Sequence, residues 1–343
     1  MFVNLSGFMF SGKSAFLDHL GGIEGIKSDH YQEEFDYFRV PGGLLDLGAA
    51  IDNWSFMGVD AAIKRFEKVT AKMCHTPKGV DRLFKIGWGY ENRYPGLTQA
   101  TKQYIKDISL VEWQAEWPFD ELESSSLDLL RRKIADRIPF FKRNESLLRM
   151  CSKKVFFKET DIFIRNVMNL LVGPDQDKAK VFLTTNAFDP TNPFFALSLS
   201  GCLLNIVVDR DVRDIYADSV SHSPGFNDNV EKFSKITGAY DVEVFITRQR
   251  MLRETVINVS PDVASRNMTV YFEDLIYDVE ATRKRLLAFI GLDAESQILG
   301  SRFDNKKSAK NVGKWQQLGS EFAPSIKRIE AELPDLCIQN KYQ

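Results

Sequence analysis

Near its amino terminus the chain reads GFMFSGKS, over Gly7–Ser14. An apolar run at 2–6 precedes this stretch, and residues 15–20 follow it with helical spacing up to Gly21-Gly22. The letters match the phosphate-loop pattern, in which a glycine and any four residues are followed by Gly-Lys and then Ser or Thr. That pattern needs a strand before the loop and a helix after it, and both are predicted here. The stretch therefore predicts the opening of an α/β unit.

Phosphate binding by such a loop has a direct physical cause. Backbone N–H groups of the loop and of the helix N-terminus converge on an anion, while Lys13 adds a positive charge and Ser14 a hydroxyl. The alternative is a glycine turn that matches by chance, and the predicted strand and helix on its two sides argue against it. We expect a phosphate or a phosphate-like group to bind here.

Three further apolar runs are typical of buried parallel strands. They lie at 181–183, 203–208 and 268–272, and polar or turn residues bound each of them. Together with the first strand they predict an α/β fold with a central parallel sheet. Ligands of such sheets bind beyond the carboxyl ends of the strands. Late helices are predicted at 241–257, 280–290 and 321–332, the second ending at Gly291 as its C-terminal cap.

The middle of the chain has a different pattern. Between about 55 and 175 it is mostly helical, and the amphipathic segments lie near 59–73, 97–109, 121–137 and 161–172. We interpret 55–175 as a helical insertion or cap that sets specificity, within a single domain that spans 1–343. The indole rings in and beside it would either stack on sugars or heterocycles or pack in the core, and the core is the favoured interpretation; they belong to Trp54, Trp88, Trp113 and Trp117.

Composition excludes several classes of protein. Among 343 residues, 45 Lys and Arg oppose 47 Asp and Glu, so the net charge of −2 argues against a dedicated nucleic-acid binder. Four cysteines stand apart without a metal-site or disulfide spacing, which fits a reducing compartment. The chain shows neither a signal peptide nor about 18 consecutive apolar residues, so we expect a cytoplasmic protein without a membrane anchor.

A second motif lies at 207–219, where a hydrophobic strand runs into a turn and then a helix. The turn carries Arg210 and Arg213, and guanidinium groups at the carboxyl end of a strand can bind phosphate oxygens in pairs. The alternative is a lattice of Arg–Asp ion pairs on the surface, and the motif alone does not separate the two. Two later segments, 270–275 and 306–315, favour phosphate binding over a lattice of ion pairs.

In order along the chain, these motifs resemble those of sulfotransferases that use 3′-phosphoadenosine 5′-phosphosulfate (PAPS). That family has a phosphosulfate loop ending in Ser-Gly, an Arg-Asp-rich turn that holds the 3′-phosphate, a Tyr-Glu-Asp-Leu strand end, and a late basic loop closing with Gly-x-Trp. The matching places here are 7–14, 207–219, 270–275 and 306–315. The resemblance covers both ends of the chain and implies a three-layer α/β/α fold.

The resemblance also implies roles for the matching residues. Residues 11–14 would hold the 5′-phosphosulfate, while Arg210 and Ser219 would hold the 3′-phosphate. Lys310 and Asn311 would close over that same phosphate. The implied cofactor-binding set is Phe10, Ser11, Gly12, Lys13, Ser14, Ala15, Arg210, Ser219, Phe272, Lys310, Asn311 and Gly313.

Three positions depart from the family pattern. Phe10 stands where many members carry Lys or Arg, so Lys13 is the expected cation on the leaving phosphate. The usual serine, eight residues after the first arginine, is replaced by Asp218, and Ser219 comes one place later. Phe272 occupies the usual tyrosine position. These departures leave the hydroxyl contact to the 3′-phosphate open.

Sulfuryl transfer to a hydroxyl or a protonated amine needs a general base, for which the family uses His or Glu. Glu34 is the preferred candidate, because it resembles the Lys-Glu-aromatic stretch of the carbohydrate branch of the family. The alternative is that Glu33, Glu34 and Asp36 belong to an ordinary solvated acidic strand or turn. Asp189, His222 and His19 remain open as other bases.

The implied donor is PAPS, with 3′,5′-adenosine bisphosphate (PAP) as its product, and no metal is predicted. The acceptor would be a carbohydrate or a small secondary metabolite, and the oligomeric state is left open. The main rival is an ATP-dependent P-loop kinase in which 205–209 forms the acidic strand that orders magnesium. It leaves 268–275 and 306–315 unexplained. A non-catalytic nucleotide-binding protein is the second alternative.

Overall fold

A computed structural model describes residues 1–28, 34–84, 86–115, 117, 126–135, 146–173, 179–221, 230–254, 259–300 and 302–338. Its strands are β1 Phe2–Gly7, β2 Ile26–Ser28, β3 Val111–Ala115, β4 Ser146–Met150, β5 Val181–Thr185, β6 Leu203–Asp209 and β7 Asn267–Tyr271. Its helices are α1 Lys13–Leu20, α2 Leu44–Asp52, α3 Phe56–Cys74, α4 Val80–Leu83, α5 Tyr90–Arg93, α6 Leu97–Ile108, α7 Ser126–Ala135, α8 Lys153–Val172, α9 Phe194–Ser198, α10 Val212–Val220, α11 Val230–Thr237, α12 Val242–Leu252, α13 Pro261–Ser265, α14 Phe272–Tyr277, α15 Val279–Ile290, α16 Asn305–Ala309 and α17 Ala323–Glu332.

Five parallel strands form the central sheet, in the order β2-β5-β1-β6-β7. The first strand lies in the middle, where Phe2 is in register with Phe182 of β5 and with Leu203 of β6. The predicted three-layer α/β/α fold with a central parallel sheet is confirmed. The predicted strands at 181–183, 203–208 and 268–272 all belong to this sheet. The sequence analysis does not identify β2, whose three residues are too few to show a periodicity.

Alternate residues of β1 face opposite sides of the sheet, as the two-residue period of a strand requires. On one side, Val3 and Leu5 join a core cluster with Phe16 of α1 and Leu286 of α15. On the other side, the Phe2 ring packs among aromatic rings at centroid distances of 6.0–6.4 Å. Those rings belong to Phe35, Phe38 and Phe182. Both faces of the central strand are therefore covered, and its carboxyl end is left to form the loop.

Contacts divide the chain into two compact units, one of Met1–Arg39 with Met168–Gln343 and one of Val40–Val167. The sheet and the phosphate loop belong to the first. The second contains α2 to α7 and an antiparallel pairing of β3 with β4, which the mostly helical interpretation of 55–175 does not anticipate. The assignment of a single domain with its insertion at 55–175 stays a prediction.

Tryptophans of the second unit correct one expectation. Trp54 and Trp88 are 46% and 50% exposed, so the interpretation of these two rings as core is wrong. Trp54 donates its ring N–H to the carbonyl of Cys151 at 2.8 Å. Trp113 stacks on Phe56 with ring centroids 5.6 Å apart. The four-position aromatic pattern has no common period, so the sequence gives no means of telling which ring is covered.

Two further features concern the helices and the cysteines. None of the described helices combines the length and the apolar character needed to cross a membrane. All four cysteines are buried with free thiols. Burial raises the pKa of Cys151 and of Cys337 to about 11, so both thiols stay protonated and unreactive at neutral pH.

Candidate active site

The phosphate loop begins where β1 ends, at Gly7, and leads into α1. Phe10 and Gly12 both adopt left-handed backbone conformations, with φ of 64° and 84°. A Cβ atom at position 12 would lie 2.3 Å from Cδ2 of Phe272, which is far inside van der Waals contact. Glycine is therefore required at position 12 on two independent grounds, its φ angle and the ring of Phe272.

The helix N-terminus supplies hydrogen-bond donors. The N–H groups of Lys13 and Ser14 lie in the first turn of α1, where no carbonyl of the helix can accept from them. Ala15 donates its N–H to the carbonyl of Gly12 at 3.0 Å. The Oγ of Ser11 is buried and has no hydrogen-bond partner among the described residues. Unused donors at a helix N-terminus fit an anion such as a phosphate or a sulfate.

Lys13 and Glu34, the predicted catalytic pair, are in contact. The Nζ of Lys13 lies 3.0 Å from Oε1 of Glu34, and the two side chains are 18% and 38% exposed. Glu34 also accepts short hydrogen bonds from Asn186 and from Arg39. The carboxylate thus lies beside the phosphate loop with three donors around it, and the acidic stretch is not a fully solvated turn at this residue.

Burial and neighbouring charges shift the pKa values of both Lys13 and Glu34. Burial lowers the pKa of Lys13 below its usual range, more than the charge of Glu34 raises it. Burial by itself would raise the pKa of Glu34, but the charges of Lys13 and Arg39, with the hydrogen bond from Asn186, outweigh it and hold that pKa low. Glu34 is therefore ionised at neutral pH, which is the form that a general base requires.

The loop after β5 is fixed by a polar network on one face of the sheet. The side chain of Asn4 donates to Oδ1 of Asn205 at 2.7 Å, and its own Oδ1 accepts the N–H of Ala187 at 2.7 Å. The neighbouring Asn186 has a left-handed φ of 49° and donates to Glu34. The central strand thereby positions the residue that hydrogen-bonds the candidate base.

Arg210, in the turn after β6, contacts both the phosphate loop and the late basic loop. Its side chain is almost fully buried, and its Nη1 donates to the carbonyl of Phe10 at 2.9 Å. Its Nη2 donates to the carbonyl of Asn311 in the late loop. Its guanidinium carbon lies 5.3 Å from the ring centroid of Phe272. The phosphate loop, the turn after β6 and the late basic loop therefore meet at one guanidinium group.

The same arginine already has anionic partners. Nη1 of Arg210 lies 2.6 Å from Oδ2 of Asp218, and Nη2 lies 3.6 Å from Asp214. Lys314 donates to Oδ1 of Asp218 at 2.8 Å. Asp214 accepts the backbone N–H groups of Gly313 at 2.9 Å and of Trp315 at 3.1 Å, so it ties the late loop to α10. Carboxylates here neutralise Arg210, which the resemblance assigns to a phosphate, and Lys314, to which it assigns no role.

The other predicted residues near Arg210 differ in their burial, hydrogen bonds and backbone conformation. Ser219 is buried and donates its hydroxyl hydrogen to the carbonyl of Ile215, one turn earlier in α10, at 2.7 Å. Lys310 is exposed at the end of α16. Gly313 adopts a left-handed φ of 76°. Arg213 forms a double ion pair with Asp211 and has a structural role.

The other candidate bases can now be compared. Asp189 is 61% exposed and lies 3.4 Å from Arg39, so it borders the Glu34 cluster. His19 is buried in α1, and its ring packs edge-on against Phe303 at 5.4 Å. Burial lowers the pKa of His19. His222 lies outside the described residues.

The sequence analysis misses Arg39, Asn186 and Glu273. Asn186 carries a usable signal, since it is a polar residue directly after a buried strand. Glu273 is fully buried, its Oε1 accepts the N–H of Asp211 at 3.0 Å, and burial raises its pKa to about 7. Nothing in the sequence distinguishes Arg39 from the other charged residues of its stretch.

No protein-family model matches the chain, and no curated protein matches it significantly. The resemblance to sulfotransferases therefore depends on the four sequence motifs alone.

Proposed function

We propose that the protein is a PAPS-dependent sulfotransferase, which moves a sulfuryl group to a hydroxyl or an amine of a carbohydrate or small metabolite. The contact between Lys13 and Glu34 at the phosphate loop carries the proposal. It puts a cation and an ionised carboxylate side by side at the N-terminus of α1, where an anion binds favourably. The meeting of three basic loops at Arg210 supports a second phosphate nearby.

The residues of the chain divide the chemical work. PAPS, when bound, supplies an activated sulfuryl group. Glu34 takes the proton from the acceptor as the acceptor atom bonds to sulfur. Lys13 and the N–H groups of the first turn neutralise the charge that develops on the departing phosphate oxygen. A donor placed in this way typically contributes about 2.7–4 kcal/mol to the transition state. Ser11 and Ser14 would hold the phosphosulfate.

One contact disfavours the kinase alternative. The carboxylate of Asp209, the residue assigned there to magnesium, accepts from Arg253 through both oxygens at 2.6 and 2.7 Å. It also accepts the N–H of Arg210 at 2.8 Å. An arginine that engages both oxygens leaves this carboxylate a poor magnesium ligand.

Thermal unfolding with added nucleotides tests the proposal. A ligand at 100 times its dissociation constant stabilises the native state by about 2.7 kcal/mol. We expect PAP to raise the melting temperature without magnesium, and magnesium-ATP to have little effect. Adenosine 5′-monophosphate (AMP), which lacks only the 3′-phosphate, is the matched ligand control. Stabilisation by magnesium-ATP and none by PAP would overturn the proposal in favour of a kinase.

The proposal extends to the acceptor and the compartment. The four buried free thiols support a reducing, cytoplasmic environment. The rings of Trp54 and Trp88 in the second unit are half-exposed, and aromatic faces of this kind stack on sugars and heterocycles. A screen of acceptors with radiolabelled PAPS identifies the class, and it is read as transfer of label to the acceptor.

A further inference from the structure

The most distinctive charge arrangement outside the Lys13–Glu34 pair surrounds Asp218. Its side chain is only 7% exposed, and it binds two cations at once, Arg210 at 2.6 Å and Lys314 at 2.8 Å. Each carboxylate oxygen faces a different cation, Oδ2 towards Arg210 and Oδ1 towards Lys314. One carboxylate therefore holds both cations of this corner of the site.

Little of the guanidinium of Arg210 remains free for another anion. Nη1 donates to Asp218 and to the carbonyl of Phe10, and Nη2 donates to the carbonyl of Asn311 with Asp214 close by. Only the buried Nε has no partner among the described residues. A phosphate that arrives here meets two cations whose charge two carboxylates already oppose. Binding therefore requires the exchange of one anion for another.

We propose that Asp218 is a built-in counter-ion which competes with the 3′-phosphate of the nucleotide, and so sets the affinity of the site for it. On binding, Arg210 and Lys314 pass from the carboxylate to the phosphate. The Lys314 side chain is 27% exposed and can make this change without crossing the core. The inference rests on the proposed function, because it takes a 3′-phosphorylated nucleotide as the ligand.

Asn at position 218 keeps the size of the side chain and removes its charge. We expect Asp218→Asn to bind PAP about ten-fold more tightly than the wild type, because the competing anion is gone. Affinity for AMP should change less than two-fold. Isothermal titration calorimetry with both nucleotides measures this. Asp262→Asn is the matched control, since Asp262 forms an exposed ion pair with Arg266 at 3.1 Å and should alter neither affinity.

Removal of the second cation gives an independent readout. Lys314→Gln should weaken PAP binding at least three-fold and leave AMP binding unchanged. If Asp218→Asn does not fold without nucleotide, PAP should restore its folding, because the phosphate replaces the missing anion. Should it stay unfolded with PAP as well, the Lys314 variant decides, and unchanged PAP affinity there overturns the inference.

The outcomes separate this inference from the proposed function. If the wild type prefers PAP to AMP and Asp218→Asn leaves that preference unchanged, the counter-ion role of Asp218 is wrong and the sulfotransferase proposal stands. If the wild type binds PAP no better than AMP, the sulfotransferase proposal is wrong. A preference for PAP that arises only in Asp218→Asn would then still support the competition by Asp218.

Discussion

Two cations of the site have carboxylate partners, but their surroundings differ. Lys13 and Glu34 are 18% and 38% exposed and lie 3.0 Å apart, whereas Arg210 and Asp218 are 3% and 7% exposed and lie 2.6 Å apart. Partly exposed pairs contribute little to stability and exchange partners easily. Removing one partner of a buried pair is costly, because the remaining charge stays in a low-dielectric environment. The exposed pair can thus change partners at little cost, whereas Arg210 can leave Asp218 only when another anion replaces that carboxylate.

The comparison predicts the largest effect on catalysis at the exposed pair. Glu34→Gln removes the proton acceptor and should lower kcat by about 10²–10⁴-fold. PAP affinity should not fall, since the variant keeps Lys13. Steady-state kinetics with a saturating acceptor, together with PAP titration, measures both quantities. Asp189→Asn, at the edge of the same cluster, should retain most of the activity. The reverse result would make Asp189 the base.

Stability should respond to the buried pair instead. Arg210→Met removes the cation beside Asp214 and leaves Asp218 with Lys314 alone, and it should lower the free energy of unfolding by about 3–5 kcal/mol. Lys13→Met should cost only about 0–1 kcal/mol. Urea denaturation of both variants measures the difference. Equal losses would show that the two pairs do not differ in the way their exposure indicates.

The sequence allows one of these pairs to be predicted better than the other. The phosphate-loop pattern locates Lys13, and the resemblance to the family's Lys-Glu-aromatic stretch implies Glu34. The partner of Arg210 is harder to predict, because Asp218 is eight residues away and appears only as a departure from an expected serine. Long-range contacts such as those from Phe10 and Asn311 to Arg210 depend on how loops from three strand ends pack, and local sequence patterns do not encode that packing.

The same limit applies to the fold. Long apolar runs predict the strands of the central sheet, and Gly291 is confirmed as a left-handed cap with φ of 76°. The sequence analysis does not predict short or half-exposed strands, such as β2 and the β3–β4 pair. Val111–Ala115 does alternate apolar and polar residues, as VEWQA, but it is only five residues long and the mostly helical interpretation of 55–175 overlooks it.

The dependence of stability on pH should have opposite signs in the two regions. Glu273 accepts the N–H of Asp211 beside Arg210, and burial raises its pKa from 4.5 to about 7. Between these values the native state holds a proton that the unfolded chain has lost, so stability falls as pH rises, by about 3 kcal/mol in total. Glu34 has a lowered pKa, so its contribution is instead lost as pH falls through that pKa.

Glu273→Gln removes this titration. The variant should therefore be more stable than the wild type at pH 8, while the difference should disappear at pH 5. Denaturant unfolding at both values measures it. Glu280→Gln, at an exposed glutamate of α15, controls for the loss of a carboxylate. A pH-independent effect of Glu273→Gln would mean that the buried carboxyl does not titrate in this window.

The smallest predicted effect tests whether a substitution in the phosphate loop also affects the Arg210 turn. The ring of Phe272 lies between them, since it fills the space beside Gly12 and is 5.3 Å from the guanidinium of Arg210. Gly12→Ala should be destabilised by about 1–2 kcal/mol more than Gly291→Ala, which has a similar φ but no atom within 4 Å of the new Cβ.

Phe272→Leu separates the steric cost from the conformational one. Combined with Gly12→Ala it should recover most of the excess loss, because the smaller side chain makes room for the new Cβ, and a double-mutant cycle in urea measures that coupling. A link through the ring also predicts that Gly12→Ala weakens PAP binding, since the displaced ring disturbs Arg210. If the two substitutions are additive in stability, the phosphate loop and the Arg210 turn respond to their ligand groups independently.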